Sequence, residues 1–280
     1  MFASIAFVVW RESVEALLVI GILDAWLVTQ ATDTRRPRAF LWGGAVAGLG
    51  VAGALATLLL WLGEAVSDDA QTAYQTVIAL LAAMLILQMV FWMRRHGRSM
   101  RSELEGSLST AVRAGNWWGI FALAMIAVAR EGSETAVFIY GILSADVLGS
   151  ALSGVLAGIT GFALAAITYA LLMTGSRVVS WQLFFRVSEV LLLLLACGLL
   201  MSGVDGLIGL DVLPRLSSRL WDSNFILSDG TSAGGFFASM TGYRARPNLM
   251  ELFVFCGYWG AVSAILWPTS KHSGSALSQR

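Results

Sequence analysis

Four stretches of this chain carry no charged side chain and are long enough to cross a lipid bilayer: Ala39–Gly63, Ala70–Met93, Val147–Ser176 and Leu252–Ser270. A hydrocarbon core about 30 Å thick takes about 20 apolar helical residues to span. Three more apolar stretches have similar length but are interrupted by charge. The one at about 2–30 holds Arg11, Glu12, Glu15 and Asp24; the one at about 117–144 holds Arg130, Glu131 and Glu134; the one at about 181–205 holds Arg186 and Glu189. The runs are continuous rather than alternating, which argues against the strands of a membrane barrel. Hydrophobic residues make up 57% of the chain and charged residues 13%, which excludes a disordered chain and disfavours a soluble domain. The expected fold is all-α: a polytopic membrane protein of one domain over 1–280, with seven transmembrane helices. They are predicted at about 2–30, 39–63, 70–93, 117–144, 147–174, 181–205 and 250–268, with a long outer loop at about 206–248.

The same inventory removes several functions. The net charge is zero, from 18 basic and 18 acidic residues, so no basic surplus exists for nucleic acid. The two cysteines lie in apolar runs, which speaks against a disulfide framework and thiol redox chemistry. No phosphate-binding loop is present, which excludes ATP hydrolysis by this chain on motif grounds. The apolar helices contain no histidine, so a nucleophile with its base is not available and an enzyme is not expected.

Arginine positions give topology. The first loop carries Arg35, Arg36 and Arg38, the third Arg94, Arg95, Arg98, Arg101 and Arg113, the fifth Arg177, and the tail Lys271 and Arg280. The second and fourth loops carry none. The positive-inside rule then sets the N-terminus outside and the C-terminus in the cytoplasm. The first stretch has no basic segment before it and contains charges, so it reads as a helix of the mature protein rather than a signal peptide. The outer second loop is acidic, with Glu64, Asp68 and Asp69, and would concentrate cations.

Two segments repeat. Arg11-Glu12-Ser13-Val14-Glu15 and Arg130-Glu131-Gly132-Ser133-Glu134 are each followed by an apolar stretch and then Gly-Ile-Leu. The helix after each contains a glycine pair, Gly44 with Gly48 and Gly154 with Gly158, small residues that let helices approach closely. Helix 1 runs inward and helix 4 outward, so helices 1–3 and 4–6 form an expected inverted 3+3 repeat, with helix 7 added. That arrangement is typical of transporters with midplane sites.

On a helix, Arg11, Glu12 and Glu15 fall at about 0°, 100° and 40°, on one face. Each intramembrane charge costs at least about 2.5–3.5 kcal/mol on insertion scales. Six on two helices are tolerable only if they serve one another or a ligand. If the two faces meet, four carboxylates converge with two arginines, and a multivalent cation would cancel the excess. Carboxylate oxygens are hard donors, which leaves ferric iron, manganese, calcium and magnesium open and disfavours copper and zinc. His96 and His272 sit at loops, and the methionines are read as lacking a paired ligand spacing. Two other readings stand beside the ion site: Arg–Glu pairs that lock helix packing, and glutamates acting as a proton relay.

The paired motifs resemble the R-E-G-x-E pair of the oxidase-dependent iron transporter family, the high-affinity iron permeases of fungi and bacteria, with bacterial EfeU-type members nearest. Phe91-Trp92-Met93-Arg94-Arg95 is similar to the family's end of helix 3, and Arg113-Ala114-Gly115-Asn116 to its approach to helix 4. Trp221-Asp222 and Gly242-Tyr243 resemble its outer loop. The resemblance implies iron import across the bacterial inner membrane, with Glu12, Glu15, Glu131 and Glu134 binding the ion and Arg11, Arg130, Ser13 and Ser133 supporting them. Ferric iron is expected before ferrous, with no organic cofactor. Extracytoplasmic iron-oxidising or iron-delivering proteins are the implied partners beside the lipid bilayer. The rival is a proton-coupled carrier of another hard divalent cation such as manganese. Ser13 stands where the family usually has glycine, which bears on close helix approach there.

Elsewhere, Glu189 reads either as a local pair with Arg186 or as a residue passing the ion inward, and Asp222 is a second transfer candidate. Asp24 faces away from the motif, toward the inner interface or a neighbouring helix. Glu251 is expected at a helix N-terminus, where the dipole favours an anion. Leu213, Leu216 and Leu220 predict a short surface helix in the outer loop. Most tryptophans, among them Trp42, Trp61, Trp92, Trp117, Trp118, Trp181, Trp259 and Trp267, read as interfacial belts.

Overall fold

The computed structural model describes residues 2–30, 35–96, 106, 108–110, 112, 115–144, 151–174, 181–217, 220–225, 227–228 and 231–266. Several residues used above for orientation lie outside them: Arg98, Arg101, Arg113, Arg177, Lys271 and Arg280, together with His272. So do the side chains of Asp68, Asp69, Arg95 and His96, and the ends of two expected helices at 147–150 and 267–268.

Eight helices carry the described fold: α1 (Phe2–Gln30), α2 (Arg35–Ala65), α3 (Asp68–His96), α4 (Trp117–Ser144), α5 (Ala151–Met173), α6 (Trp181–Gly209), α7 (Ser232–Thr241) and α8 (Leu249–Leu266). No strand occurs among the described residues. Four helices are long and apolar enough to cross a membrane: α2, and the spans Ala70–Arg94 of α3, Leu152–Met173 of α5 and Phe184–Gly209 of α6. The molecule is a multi-pass membrane protein by these spans. α1 and α4 match them in length but carry the charged motifs, and α8 is a shorter apolar helix. α2 begins earlier than the apolar run suggested, because Pro37 sits in its first turn, where an amide has no helical acceptor to lose. Asn116 starts α4 by accepting from the amide of Gly119 at 3.0 Å, after Gly115 turns with φ 61°.

Lipid supplies no hydrophobic drive for helices to associate, so association rests on close packing. α1 is the hub and lines three apolar clusters. Ile5 and Val8 pack with Ile86, Phe138, Leu192 and Tyr258. Ile20, Leu23 and Leu27 pack with Leu41 and Ile120, and Val14 and Leu18 with Ala165, Leu172 and Phe184. Two parallel pairs flank this hub. α2 lies on α4, where a side chain at Gly48 would meet Met125 O at 2.7 Å, Val128 Cβ at 2.9 Å and Ala129 N at 2.9 Å. α5 lies on α1, where one at Gly161 would meet Ala6 O at 2.5 Å, Val9 Cβ at 2.9 Å and Trp10 N at 3.1 Å. The Trp10 indole donates to Thr168 Oγ1 at 2.9 Å in the same seam. α3 and α6 cross antiparallel, with Gly203 against Leu80, Gly206 against Thr76, and an ion pair from Arg94 to Glu189.

Four expectations change. Gly154 and Gly158 have open space around them, and Gly161 makes the close approach instead. Glu189 pairs with Arg94 across two helices rather than with Arg186, which is exposed. The outer loop has no helix through Leu213 and Leu216. Leu216 takes φ 57°, a left-handed conformation that breaks a right-handed helix. The loop's helix is α7, capped by Thr231 Oγ1 accepting from Gly234 N and ended by Gly242 at φ 73°. Trp92 does not stand in a belt; it lies under Arg130. Trp42, Trp61 and Trp118 are exposed on the bundle exterior.

α7 is tucked into the bundle. Ser239 meets Gly198 of α6 in close backbone contact, and Ser239 Oγ lies 3.4 Å from Ser4 Oγ of α1. The rest of the loop is pinned by Arg244 donating to Asp205 Oδ2 at 2.7 Å and by Tyr243 bonding to Ser223 at 2.6 Å. Asn248 and Glu251 cap α8 reciprocally, so Glu251 sits at the helix N-terminus as expected. Asp24 receives two bonds from Arg38, at 2.7 and 2.8 Å.

Candidate ion site

The helical period puts Arg11, Glu12 and Glu15 on the face of α1 that turns toward α3 and α4. Arg11 is 1% exposed. Its Nη1 donates to Glu12 Oε1 at 2.7 Å, and its Nη2 lies 2.5 Å from Glu15 Oε1, out of line for a hydrogen bond. One further proton on each terminal nitrogen meets sulfur: Nη1 donates to Met89 Sδ and Nη2 to Met93 Sδ, each at 3.0 Å. These methionines stand four residues apart on α3, a pairing that the sequence reading overlooked.

The second motif lies across from the first. Arg130 Nε donates to Glu134 Oε1 at 3.0 Å, and Glu131 Oε1 is 4.0 Å away. The Arg130 side chain is 42% exposed, and its guanidinium carbon lies 4.7 Å from the centre of the Trp92 ring. A cavity of about 250 Å³ opens here, lined by Leu85, Gln88, Met89, Trp92, Arg130 and Glu134. Gly132 lets α4 press against α2, since a side chain there would meet Ala52 Cβ at 2.6 Å. The glycine of the motif therefore serves helix approach rather than the ion.

The two helices bring Glu12, Glu15 and Glu131 together, with one oxygen of each within 4.8 Å of the others, all three buried. Glu12 Oε2, Glu131 Oε2 and Glu134 Oε2 have no hydrogen-bond partner, and neither does Arg11 Nε. Buried carboxylate oxygens without donors carry a desolvation penalty of roughly 1–3 kcal/mol or more each. Convergent lone pairs of this kind are the chemistry a cation binds. With all six groups ionised, the cluster has an excess of two negative charges, which a divalent cation cancels.

Not every sequence candidate joins the cluster. Ser13 and Ser133 are half-buried and, among the described residues, outside its hydrogen bonds. Ser13 also makes no bond back to its helix. Glu189 is held by Arg94 near the cytoplasmic end expected of α3. Asp222 is exposed on the outer loop and bonded by Arg246 at 2.9 Å. The residues missed by sequence reasoning are Met89, Trp92, Met93 and Gln88. Their signal was available, since they form two pairs at four-residue spacing on one side of α3, Gln88 with Trp92 and Met89 with Met93.

Comparison with known proteins gives one consistent answer. The model of the iron permease FTR1 family matches residues 1–270. A ferrous iron permease EfeU of Yersinia pestis is 26% identical over 280 residues, covering 97% of this chain and 95% of the relative. The protein of the same name from Escherichia coli O6:H1 is 27% identical over 260 residues, covering 90% of each. No solved structure matches the chain.

Proposed function

The chain belongs to the iron permease FTR1 family, and from that premise we propose that it imports iron across a bacterial inner membrane through the carboxylates of α1 and α4. The observation that carries this reading is the convergence of Glu12, Glu15 and Glu131 within 4.8 Å, buried and with unpartnered oxygens. The path runs from the acidic outer side near Glu64 to the cytoplasm, with the N-terminus outside. Seven helices cross the membrane: α1 to α6 and α8. α1–α3 and α4–α6 form an inverted repeat. Support comes from the matching seams: Gly48 and Gly161 each face a carbonyl oxygen, a Cβ and an amide nitrogen at the same relative positions of α4 and α1. The residues concerned are separated as Arg11 is from Arg130.

Each step follows from charge. Stripping water from iron requires oxygens that replace it, and a hard cation prefers about six ligands. Two motifs must contribute together, with retained water filling the rest. Arg11 and Arg130 limit repulsion between carboxylates while the site is empty and hold them in place. The cargo's valence is read as ferrous. Ferrous is preferred to the expected ferric iron because the charge excess of two suits a divalent ion and the relatives are named for ferrous iron. Extracytoplasmic delivery proteins remain part of this reading only through the outer loop's exposure.

The test is uptake by purified protein in liposomes. Glu15→Gln and Glu134→Gln keep shape and remove charge, and each should abolish iron(II) uptake with normal insertion. Uptake at wild-type rates in either would remove that residue from the site. Manganese in tenfold excess should leave wild-type iron uptake largely intact. Calorimetry on Glu12→Gln, Glu131→Gln and their combination should show the double variant costing little more than the worse single one. Half the wild-type stoichiometry in each single variant would instead mean two independent sites. Cysteines at Glu64 and Asp222 should react with an impermeant reagent in intact cells, and one at Arg35 should not.

A further inference from the structure

Arg11 has partners of two kinds. Glu12 and Glu15 are charged; Met89 and Met93 are not, and their sulfurs each take a proton from one terminal nitrogen, Nη1 and Nη2. One residue before Met93, Trp92 receives Arg130 on its ring face at 4.7 Å. A single stretch of α3 therefore receives both motif arginines and offers neither a charge.

A thioether is a weak acceptor and cannot compete with a carboxylate for a guanidinium. It matters when the carboxylates turn to a cation. Arg11 cannot lose its proton, and water barely reaches it at 1% exposure. Deprived of Glu12 and Glu15 it would leave N–H groups unpaired in a poorly polar interior and press on the incoming ion. An acidic residue at position 89 or 93 would hold the arginine but add charge to the site. A leucine would fill the volume and accept nothing. Sulfur and an aromatic face are acceptors without charge, close enough to keep each arginine in place.

We propose that Met89, Trp92 and Met93 form a neutral rest for the two motif arginines, a set of positioning residues that holds Arg11 and Arg130 while the carboxylates bind iron. The proposal rests on the reading of the carboxylate cluster as the ion site. Its consequence falls on affinity for the ion rather than on the maximal rate. Without the rest, Arg11 leans on Glu12 and Glu15 and competes with the cation for them.

The experiment measures initial rates of iron(II) uptake, kept reduced with ascorbate, into proteoliposomes over a range of concentrations. M89L/M93L keeps the volume and removes both acceptors; M89Q/M93Q supplies neutral oxygen acceptors. In the leucine pair KM should rise about three- to tenfold, the scale of a lost hydrogen bond or two, with Vmax near wild type. The glutamine pair should return KM to within about twofold of wild type, since an acceptor is restored. A packing role predicts the reverse order, because leucine replaces methionine at little cost in a core and glutamine does not. That reverse order overturns the proposal. If the leucine pair fails to insert, the glutamine pair decides: a wild-type KM supports the neutral rest and a raised one overturns it. Glu15→Gln runs alongside. Wild-type uptake in that variant removes the site reading and this proposal together. Loss there, with unchanged KM in both methionine pairs, removes this proposal alone.

Discussion

Arg11 and Arg130 open the same five-residue pattern, yet one is sealed inside the bundle and the other stands half in a cavity. Arg11 lies on the hub helix, walled by α3 and by the apolar clusters above and below it. Arg130 lies on a helix held by α2 through small residues, and its outer side is open to the space lined by Gln88, Trp92 and Glu134. Position in the bundle, rather than the motif, thus sets what each copy can do. The first copy is a fixed wall of the site. The second borders the cavity through Arg130 and Glu134. Two motifs alike in sequence, on helices that meet their neighbours through alike seams at Gly48 and Gly161, differ in how their charges are buried.

The strongest way to break this comparison is to remove each arginine. Arg11→Ala leaves two buried carboxylates without their cation, a loss of about 3–5 kcal/mol. That is a large share of a total stability of about 5–15 kcal/mol, so little folded protein should be recovered. Arg130→Ala should cost about 1 kcal/mol or less, since the side chain is solvated and its ring contact modest. Thermal unfolding in detergent measures both, and equal losses would erase the distinction. Next come the seams. Gly48→Leu and Gly161→Leu should each destabilise by about 1–3 kcal/mol through overpacking, while Gly158→Leu, in open space, should stay within about 0.5 kcal/mol. A large loss at Gly158 would restore the glycine pair expected from sequence. The smallest effect sharpens the motif itself. Gly132→Ala should lower stability by about 1 kcal/mol, because the new methyl meets Ala52. Ser13→Gly should lower it by about 0.5–1 kcal/mol through backbone freedom alone and leave iron uptake intact. Uptake lost in Ser13→Gly would return the serine hydroxyl to the site.

Much of this was legible in the chain. Long uncharged runs announce the helices, and the period of 3.6 puts Arg11, Glu12 and Glu15 on one face without any coordinates. The pairing of Arg11 with Glu15 and of Arg130 with Glu134 follows from their four-residue spacing. What spacing cannot give is the partner on another helix. Glu189 has a neighbour of the right charge three residues away, yet the crossing of α3 and α6 delivers Arg94. Gly154 and Gly158 have the spacing of a packing motif, but the face of α5 that meets α1 runs through Ala157, Gly161 and Ala165. The choice between two small-residue faces is made by tertiary contact, since both are equally smooth. Leu213 and Leu216 have helical spacing, but the backbone there answers to the loop's anchoring by Arg244 and Tyr243 rather than to local propensity.

The parallel seams also bear on how the molecule is made. Trp10 bonds to Thr168, 158 residues further along the chain, and the carboxylates of α1 meet Glu131 only once α4 exists. At about 5–20 residues per second the ribosome needs roughly 8–30 s to bridge that gap. Throughout it α1 carries an arginine and two glutamates whose final neighbours on α4 have not yet left the ribosome. Arg11 can hold Glu15 within its own helix during this time, because their spacing needs no partner. The i,i+4 ion pair is thus also a travelling companion for the nascent helix, reducing what the insertion machinery must tolerate before the second half of the chain arrives.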